Sequence, residues 1–103
     1  MDKKYTLNYL PQFEHDLAAA RDYITFTLQN SEAALRLVED AEKAILKRLD
    51  SPLSFQPYPS VRKRKHPYYR INVRNFSIFY VVIENVMEVR RFVYSKRNLP
   101  EII

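Results

Sequence analysis

Glycine and cysteine are both absent from this 103-residue sequence, and each absence excludes a class of site. Without cysteine the chain can form neither disulfides nor thiolate metal sites. Without glycine it cannot form the Gly-rich loops that cradle phosphates. Its apolar runs are all shorter than the ~18 residues of a membrane span. Carboxylates and histidines show no convincing metal spacing, so we expect no metal, no cofactor and no membrane partner.

The composition favours one soluble domain. Hydrophobic residues make up 47% of the chain, which is enough for a single core at this length, and we expect one domain over residues 1–103. The first four residues, Met-Asp-Lys-Lys, lead into an alternating segment that is unlike a signal peptide. We therefore expect a cytoplasmic protein.

The net charge of +5 is unevenly distributed along the chain. Residues 1–60 contain seven Lys/Arg and nine Asp/Glu, a net charge of −2, whereas residues 61–103 contain ten and three, a net charge of +7. A basic surface of this kind indicates a polyanion or an acidic protein as partner. Ordinary solvated surface charge is the alternative interpretation.

The first half of the chain predicts a strand and two helices. Polar and apolar residues alternate over 4–10, which indicates a strand. Apolar residues recur at helical spacing over 12–28, directly after a proline suited to a first helical turn. A second helix is predicted from its N-cap, Asn30 or Ser31, to Leu49. Two helices joined by so short a break should form a hairpin.

The second half predicts a three-stranded meander after an irregular loop. The loop, residues 50–67, contains four prolines and four consecutive cations. Three strand segments follow it, separated by turns at 74–75 and 84–85. The middle segment, 76–83, is apolar on both faces, which is typical of a central strand.

The predicted fold is α+β, with the order β-α-α-β-β-β and an antiparallel sheet whose one face is covered by the helical hairpin. Strict alternation would place Val89, Arg91 and Val93 on one face of the last strand. The opposite face of the sheet is expected to be open and lined by arginine and tyrosine. These side chains suit phosphates and bases.

Three sequence segments carry a resemblance to a known family. They are Y-Y-R-I-N-V, N-F-S-I-F-Y-V-V and V-R-R-F-V-Y-S-K-R-N, at residues 68–73, 75–82 and 89–98. Together with the preceding strand, helical hairpin and Pro-rich basic loop, their order resembles the RelE/ParE superfamily of toxins from type II toxin–antitoxin systems. The likeness extends over nearly the whole chain.

The resemblance implies two alternative activities. RelE-like members enter the ribosomal A site and cut mRNA, whereas ParE-like members share the fold and inhibit DNA gyrase. Both are neutralised by a cognate antitoxin, and a third alternative is a non-toxic relative that binds only this antitoxin. We place mRNA cleavage slightly ahead, so the expected partners are an antitoxin, the ribosome and mRNA, with DNA gyrase as the alternative target.

Residue by residue, this sequence keeps the RelE-like site only in part. Arg70 falls where RelE-like enzymes have a catalytic lysine, and Arg97 falls at the arginine that ends their last strand. Asn72 and Ser77 stand where those enzymes have a second lysine and an arginine, and their C-terminal tyrosine would fall near Ile103.

Cleavage of RNA by its own 2′-hydroxyl needs a base, an acid and donors for the phosphate. Arginine is a poor proton acceptor, so His66, which the neighbouring cations favour in its neutral form, is the candidate base. The catalytic candidates are therefore Arg70, Arg97 and His66; an exposed histidine and surface ion pairs with Glu88 are the alternatives. The residues expected to bind RNA are Arg62, Lys63, Arg64, Lys65, Arg74, Arg91, Tyr94 and Lys96.

Overall fold

The elements of the fold follow the predicted order in the computed structural model, which describes residues 4–59, 64–97 and 99. No helix in this described part of the chain is long and apolar enough to cross a membrane. The elements are β1 (Thr6–Tyr9), α1 (Pro11–Asp22), a π-helical segment (Tyr23–Thr27), α2 (Ser31–Arg48), β2 (Tyr69–Val73), β3 (Phe76–Ile83) and β4 (Val86–Tyr94).

The four strands form one mixed sheet in the order β1-β4-β3-β2. The meander β2-β3-β4 is antiparallel, as predicted. β1 instead pairs parallel with β4, with Thr6 opposite Val86, so the expectation of a wholly antiparallel sheet is wrong for this strand. The helices and the long loop after α2 form a crossover connection, which allows β2 to run in the same direction as β1. Three antiparallel strands then bring β4 back parallel to β1.

Both helices pack on one face of the sheet and form the larger core. Phe13 of α1 and Leu37, Ala41 and Ile45 of α2 are buried against the apolar side chains of β2, β3 and β4 on that face. α2 begins at Asn30, whose side-chain oxygen accepts a hydrogen bond of 3.0 Å from the Ala33 amide, as expected for an N-cap. The predicted covering of one sheet face by a helical hairpin is confirmed.

Arg48, the last residue of α2, connects the following loop to the sheet. Its guanidinium donates to the Tyr80 hydroxyl at 3.0 Å and to the Arg70 carbonyl oxygen at 3.3 Å. It also lies 3.5 Å from the centre of the Phe55 ring. The Tyr80 hydroxyl in turn donates to the carbonyl oxygen of Pro52 at 2.7 Å. This network closes the loop over the end of the larger core.

The opposite face of the sheet is not the open, polar surface that the sequence suggested. Its centre is a second buried cluster, in which Phe79 and Val81 are fully buried. Tyr58 covers Phe79 from the loop, with the two ring centres 5.1 Å apart, and Leu99 covers the cluster from the end of the chain. Basic side chains are therefore confined to the margins of this face.

A β-bulge interrupts the alternation of β4. The pairing with β3 shifts between Phe79 and Tyr80, and this shift leaves Arg90 as an extra residue in β4. Val89 consequently belongs to the helix-side core, whereas Val93 belongs to the cluster on the opposite face. The expectation that the two valines share a face is wrong because the bulge reverses the alternation between them.

Candidate functional site

The three catalytic candidates lie in three different sets of contacts. Arg70 donates from Nε to the hydroxyl of Ser77 at 2.9 Å. His66 lines a basic pocket beside the loop that precedes β2. Arg97 lines an apolar groove between α1 and the sheet. His66 and Arg97 thus face different cavities, so these contacts do not bring the three candidates into one catalytic centre.

Arg70 belongs to a hydrogen-bonded network that joins three segments of the sheet. Its partner Ser77 is fully buried, and the Ser77 hydroxyl lies 2.8 Å from that of Ser95, just beyond β4. The Arg70 guanidinium also lies 5.6 Å from the centre of the Tyr58 ring. Glu88, which the sequence offered as an ion-pair partner for Arg70 or Arg97, instead pairs with Arg90 at 2.8 Å.

Arg91 is held by a carboxylate of helix α1. Its Nε donates to the Asp16 carboxylate at 2.7 Å, and that carboxylate also accepts from the Phe92 amide at 3.0 Å. Arg91 stands opposite Phe79 of the second cluster, so its side chain reaches the helix from that face of the sheet. Its expected contact with RNA stays a prediction. Asp16 follows Phe13 by three positions, so it borders the buried stripe of α1, and this spacing is the signal that could have revealed it.

Arg74 is likewise turned toward the helices. It occupies the first position of the turn between β2 and β3 with a φ of 54°. From there its guanidinium forms a 2.7 Å ion pair with Asp40 of α2. This pair directs the side chain to the helix side, and the expected RNA contact of Arg74 stays a prediction.

The remaining expected RNA contacts fall at two places. Arg64 and Lys65 line the same basic pocket as His66, a cavity of about 320 Å³. Lys96 is exposed in the turn after β4, and Tyr94 is 39% exposed. The other two, Arg62 and Lys63, lie outside the described residues.

One large cavity is a groove that sequence reasoning missed. It has a volume of about 610 Å³ and runs between α1 with its π-helical extension and the ends of β3 and β4. We call it the hairpin groove. Its polar residues are Asp16, Asn75 and Arg97, and its other lining residues are Ala19, Ala20, Tyr23, Ile24, Leu28, Phe76, Phe92, Val93 and Tyr94.

The π-helical segment shapes one wall of the hairpin groove. The periodicity predicted regular helix to Leu28, but the last turn widens, and the Leu28 amide donates to the carbonyl oxygen of Tyr23 at 3.1 Å. Tyr23 and Leu28 are each 56% exposed there, and Phe26 is 73% exposed. The sequence signal for this surface was that this end of the helix contains more apolar side chains than the core buries.

Within the described residues, histidines and carboxylates form no group that could hold a metal ion.

The sequence and the fold identify the family. Residues 7–99 match the family model of the ParE toxin of the type II toxin-antitoxin system, parDE. The chain belongs to this family. The finding confirms the resemblance to RelE/ParE toxins. No curated protein is similar enough in sequence to this ParE-family protein to indicate a relationship.

Solved toxin–antitoxin structures share the ParE-family fold. A chain of the chromosomal ParDE system from P. aeruginosa matches with a TM-score of 0.75 and 18% identity, covering 91% of this chain and 99% of that one. A chain of the E. coli DinJ-YafQ toxin–antitoxin complex matches with a TM-score of 0.59 and 11% identity, covering 88% and 92%. A second DinJ-YafQ structure matches with a TM-score of 0.53 and 14% identity, covering 87% of this chain and 92% of that one. These similarities show the fold.

Proposed function

We propose that this ParE-family protein is a toxin that acts by binding DNA gyrase and does not cleave mRNA. The observation that carries the proposal is the separation of the catalytic candidates: His66 and Arg97 line different cavities, while Arg70 bonds to a buried serine. A nuclease needs its base and its phosphate donors within hydrogen-bond reach of one phosphate. The proposal reverses the slight preference for mRNA cleavage that the sequence suggested.

The charges of the expected RNA-binding face support the same conclusion. Arg91 and Arg74 are paired with Asp16 and Asp40 on the helices. In each pair the carboxylate offsets a positive charge that would otherwise attract an RNA strand. What the described surface offers instead is exposed apolar area on the helical hairpin, which suits a protein partner.

The target is tested by inducing expression in growing cells while DNA and protein synthesis are pulse-labelled. We expect DNA synthesis to stop first, and the purified protein to inhibit supercoiling by DNA gyrase. His66→Gln should inhibit supercoiling within about twofold of the wild type, because inhibition by binding needs no proton transfer by His66. Arrest of translation with mRNA cut within codons, and a loss of about 100-fold or more in His66→Gln, would instead establish the ribosome-dependent nuclease.

The antitoxin is proposed to be an acidic, partly disordered protein that orders on the hairpin groove. The groove is mostly apolar and carries Arg97 at its margin, so it suits a segment with apolar anchors and a negative charge. Association would bury side chains such as Tyr23 and Leu28, which are exposed in the isolated chain.

Two leucine variants provide a matched test of this site. Leu28 in the groove and Leu46 on α2 are both 56% exposed, so Leu28→Lys and Leu46→Lys make the same change at equal exposure. The product of the adjacent open reading frame should co-purify with the wild type and with Leu46→Lys, and bind Leu28→Lys at least about tenfold more weakly. Equal binding of both variants would place the antitoxin elsewhere, and failure of the wild type to co-purify with it would contradict the proposal.

A further inference from the structure

The basic pocket brings together side chains from two parts of the chain. Arg64, Lys65, His66 and Tyr68 come from the segment that leads into β2, and Arg90 comes from β4. The proposed function rests on apolar contacts with proteins, and it does not require such a concentration of hydrogen-bond donors at this place. The pocket is therefore a feature that the proposed function leaves unexplained.

The β-bulge is what aims Arg90 into the pocket. In regular β4 pairing, successive side chains would alternate between the two faces. Arg91 stands opposite Phe79 of the second cluster, so regular alternation would turn its neighbour Arg90 to the helix side. As the extra residue of the bulge, Arg90 instead reaches the Tyr68 ring of the same cluster. Bulges are found beside functional sites because they redirect one side chain in this way.

Tyr68 forms the base of the pocket. Its ring is only 8% exposed and packs on Phe79, with the ring centres 6.2 Å apart. The guanidinium carbons of Arg64 and Arg90 lie 4.3 and 5.8 Å from the centre of this ring. Two guanidinium groups are thus held beside one buried ring.

Arg90 is fixed in place before any ligand arrives. Two of its nitrogens, Nε and a terminal one, each lie 2.8 Å from Glu88 Oε2, and Tyr68 is a further hydrogen-bond partner. Burial alone would lower the pKa of Arg90, but the bonds to Tyr68 and Glu88 outweigh burial and raise it. Glu88 offsets the charge of Arg90, and Arg64 and Lys65 are the further cations that line the pocket.

We propose that this pocket binds a phosphate group, held by Arg64, Lys65 and Arg90 with His66 as a further donor. Guanidinium forks match the paired oxygens of a phosphate, and an ammonium group supplies charge beside them. The phosphate could belong to a nucleic acid strand or to a free nucleotide, and both present the same oxygens.

The site is tested by NMR titration of the whole protein with inorganic phosphate, a 5′-mononucleotide and a short oligonucleotide. The His66 and Tyr68 ring resonances should shift with a saturable dependence, whereas sodium chloride at matched ionic strength should leave them in place. The double variant Arg64→Gln/Lys65→Gln should weaken phosphate binding about tenfold or more. Its control is Lys43→Gln/Lys47→Gln, which removes the same charge from the exposed side of α2 and should bind like the wild type.

The three ligands distinguish the sources of the phosphate. Equal binding of phosphate and the mononucleotide indicates a free-phosphate or nucleotide site, and binding that is much tighter for the oligonucleotide indicates a nucleic acid strand. Equal shifts with sodium chloride, or equal losses in the two double variants, would show diffuse attraction and overturn the proposal. Neither readout depends on DNA gyrase or on toxicity, so the outcome is independent of the proposed target.

Discussion

The single carboxylate of Asp16 makes two contacts that stabilise the fold. β1 ends at Tyr9, so the edge of β4 beyond Val89 has no strand partner on that side. The Asp16 carboxylate takes the place of that partner by accepting from the Phe92 amide, and it also pairs with Arg91. Because its side chain is only 11% exposed, these bonds are shielded from competition by water.

Asp16→Ala is therefore expected to lower the free energy of unfolding by about 2 kcal/mol, since it leaves a partly buried arginine and an amide without their acceptor. Urea denaturation measures the change. The matched control is Asp22→Ala, whose ion pair with Arg21 is 52% exposed on both sides and should change stability by less than about 0.5 kcal/mol. Equal effects of the two substitutions would contradict the assigned role of Asp16.

Tyr80 gives stability a dependence on alkaline pH. Burial raises the pKa of its hydroxyl above the ordinary value, and the hydrogen bond from Arg48 opposes part of that rise. A raised pKa in the folded state means that the stability is fully present below the unfolded pKa of about 10 and is lost as the pH rises through the folded pKa.

Tyr80→Phe should consequently reduce the fall in stability between neutral pH and about pH 11. At neutral pH the variant should itself be about 1 kcal/mol less stable, because the Pro52 carbonyl and Arg48 lose their hydroxyl partner. Unfolding curves at several pH values measure both effects. Some alkaline dependence remains, since burial and the nearby Glu42 and Glu14 also raise the pKa of Tyr9. An unchanged pH dependence in the variant would contradict the inference.

At the scale of elements, the absence of glycine means that other residues must adopt a positive φ in the turns. Among the described residues, three adopt the left-handed region: Gln29 after the π-helical segment, Arg74 between β2 and β3, and Glu84 between β3 and β4, with φ of 51°, 54° and 57°. A side chain in this region costs about 1–2 kcal/mol. For Arg74 the ion pair with Asp40 offsets part of that cost.

Glu84→Gly should relieve this strain and raise the free energy of unfolding by up to about 1 kcal/mol, since glycine adopts a positive φ without steric conflict. Glu84→Ala is the control, because it removes the same charge and keeps the Cβ atom; it should gain nothing. Thermal and urea unfolding of the three proteins compare them directly. A gain shared by both variants would assign the effect to the charge of Glu84 and not to backbone strain.

At the scale of the whole molecule, the sheet is a shared wall between two cores. The helices cover one face, and the loop containing Tyr58 together with Leu99 covers the centre of the other. Leu99 is 5% exposed although it lies far along the chain from Phe79, against which its cluster packs. Leu99 thus belongs to the second core and contributes to the stability of the fold.

Leu99→Ala is expected to lower the free energy of unfolding by about 2–3 kcal/mol, as other buried leucines do. Leu53→Ala serves for comparison, because Leu53 is 49% exposed in the loop after α2 and its loss should cost less than about 1 kcal/mol. Denaturant unfolding measures the difference. If the two variants were equally stable, the second core would contribute little to the fold.

The sequence by itself determined the elements of this protein. Hydrophobic periodicity predicts both helices, the two turns of the meander and the double-sided apolar pattern of β3, because each depends on residues close together in the chain. The order of these elements was also sufficient for the superfamily to be predicted. Local patterns therefore predicted the elements and the family.

Only the tertiary structure decided how the cations are distributed. Asp16 and Arg91 are 75 positions apart, and no local pattern predicts that they meet. The bulge in β4 brings Arg90 to the Tyr68 ring of the second cluster, and the crossover makes β1 parallel to β4. Strand register and long-range ion pairs depend on packing between distant segments. For that physical reason the separation of His66 from Arg97, on which the proposed function rests, could not be read from the sequence.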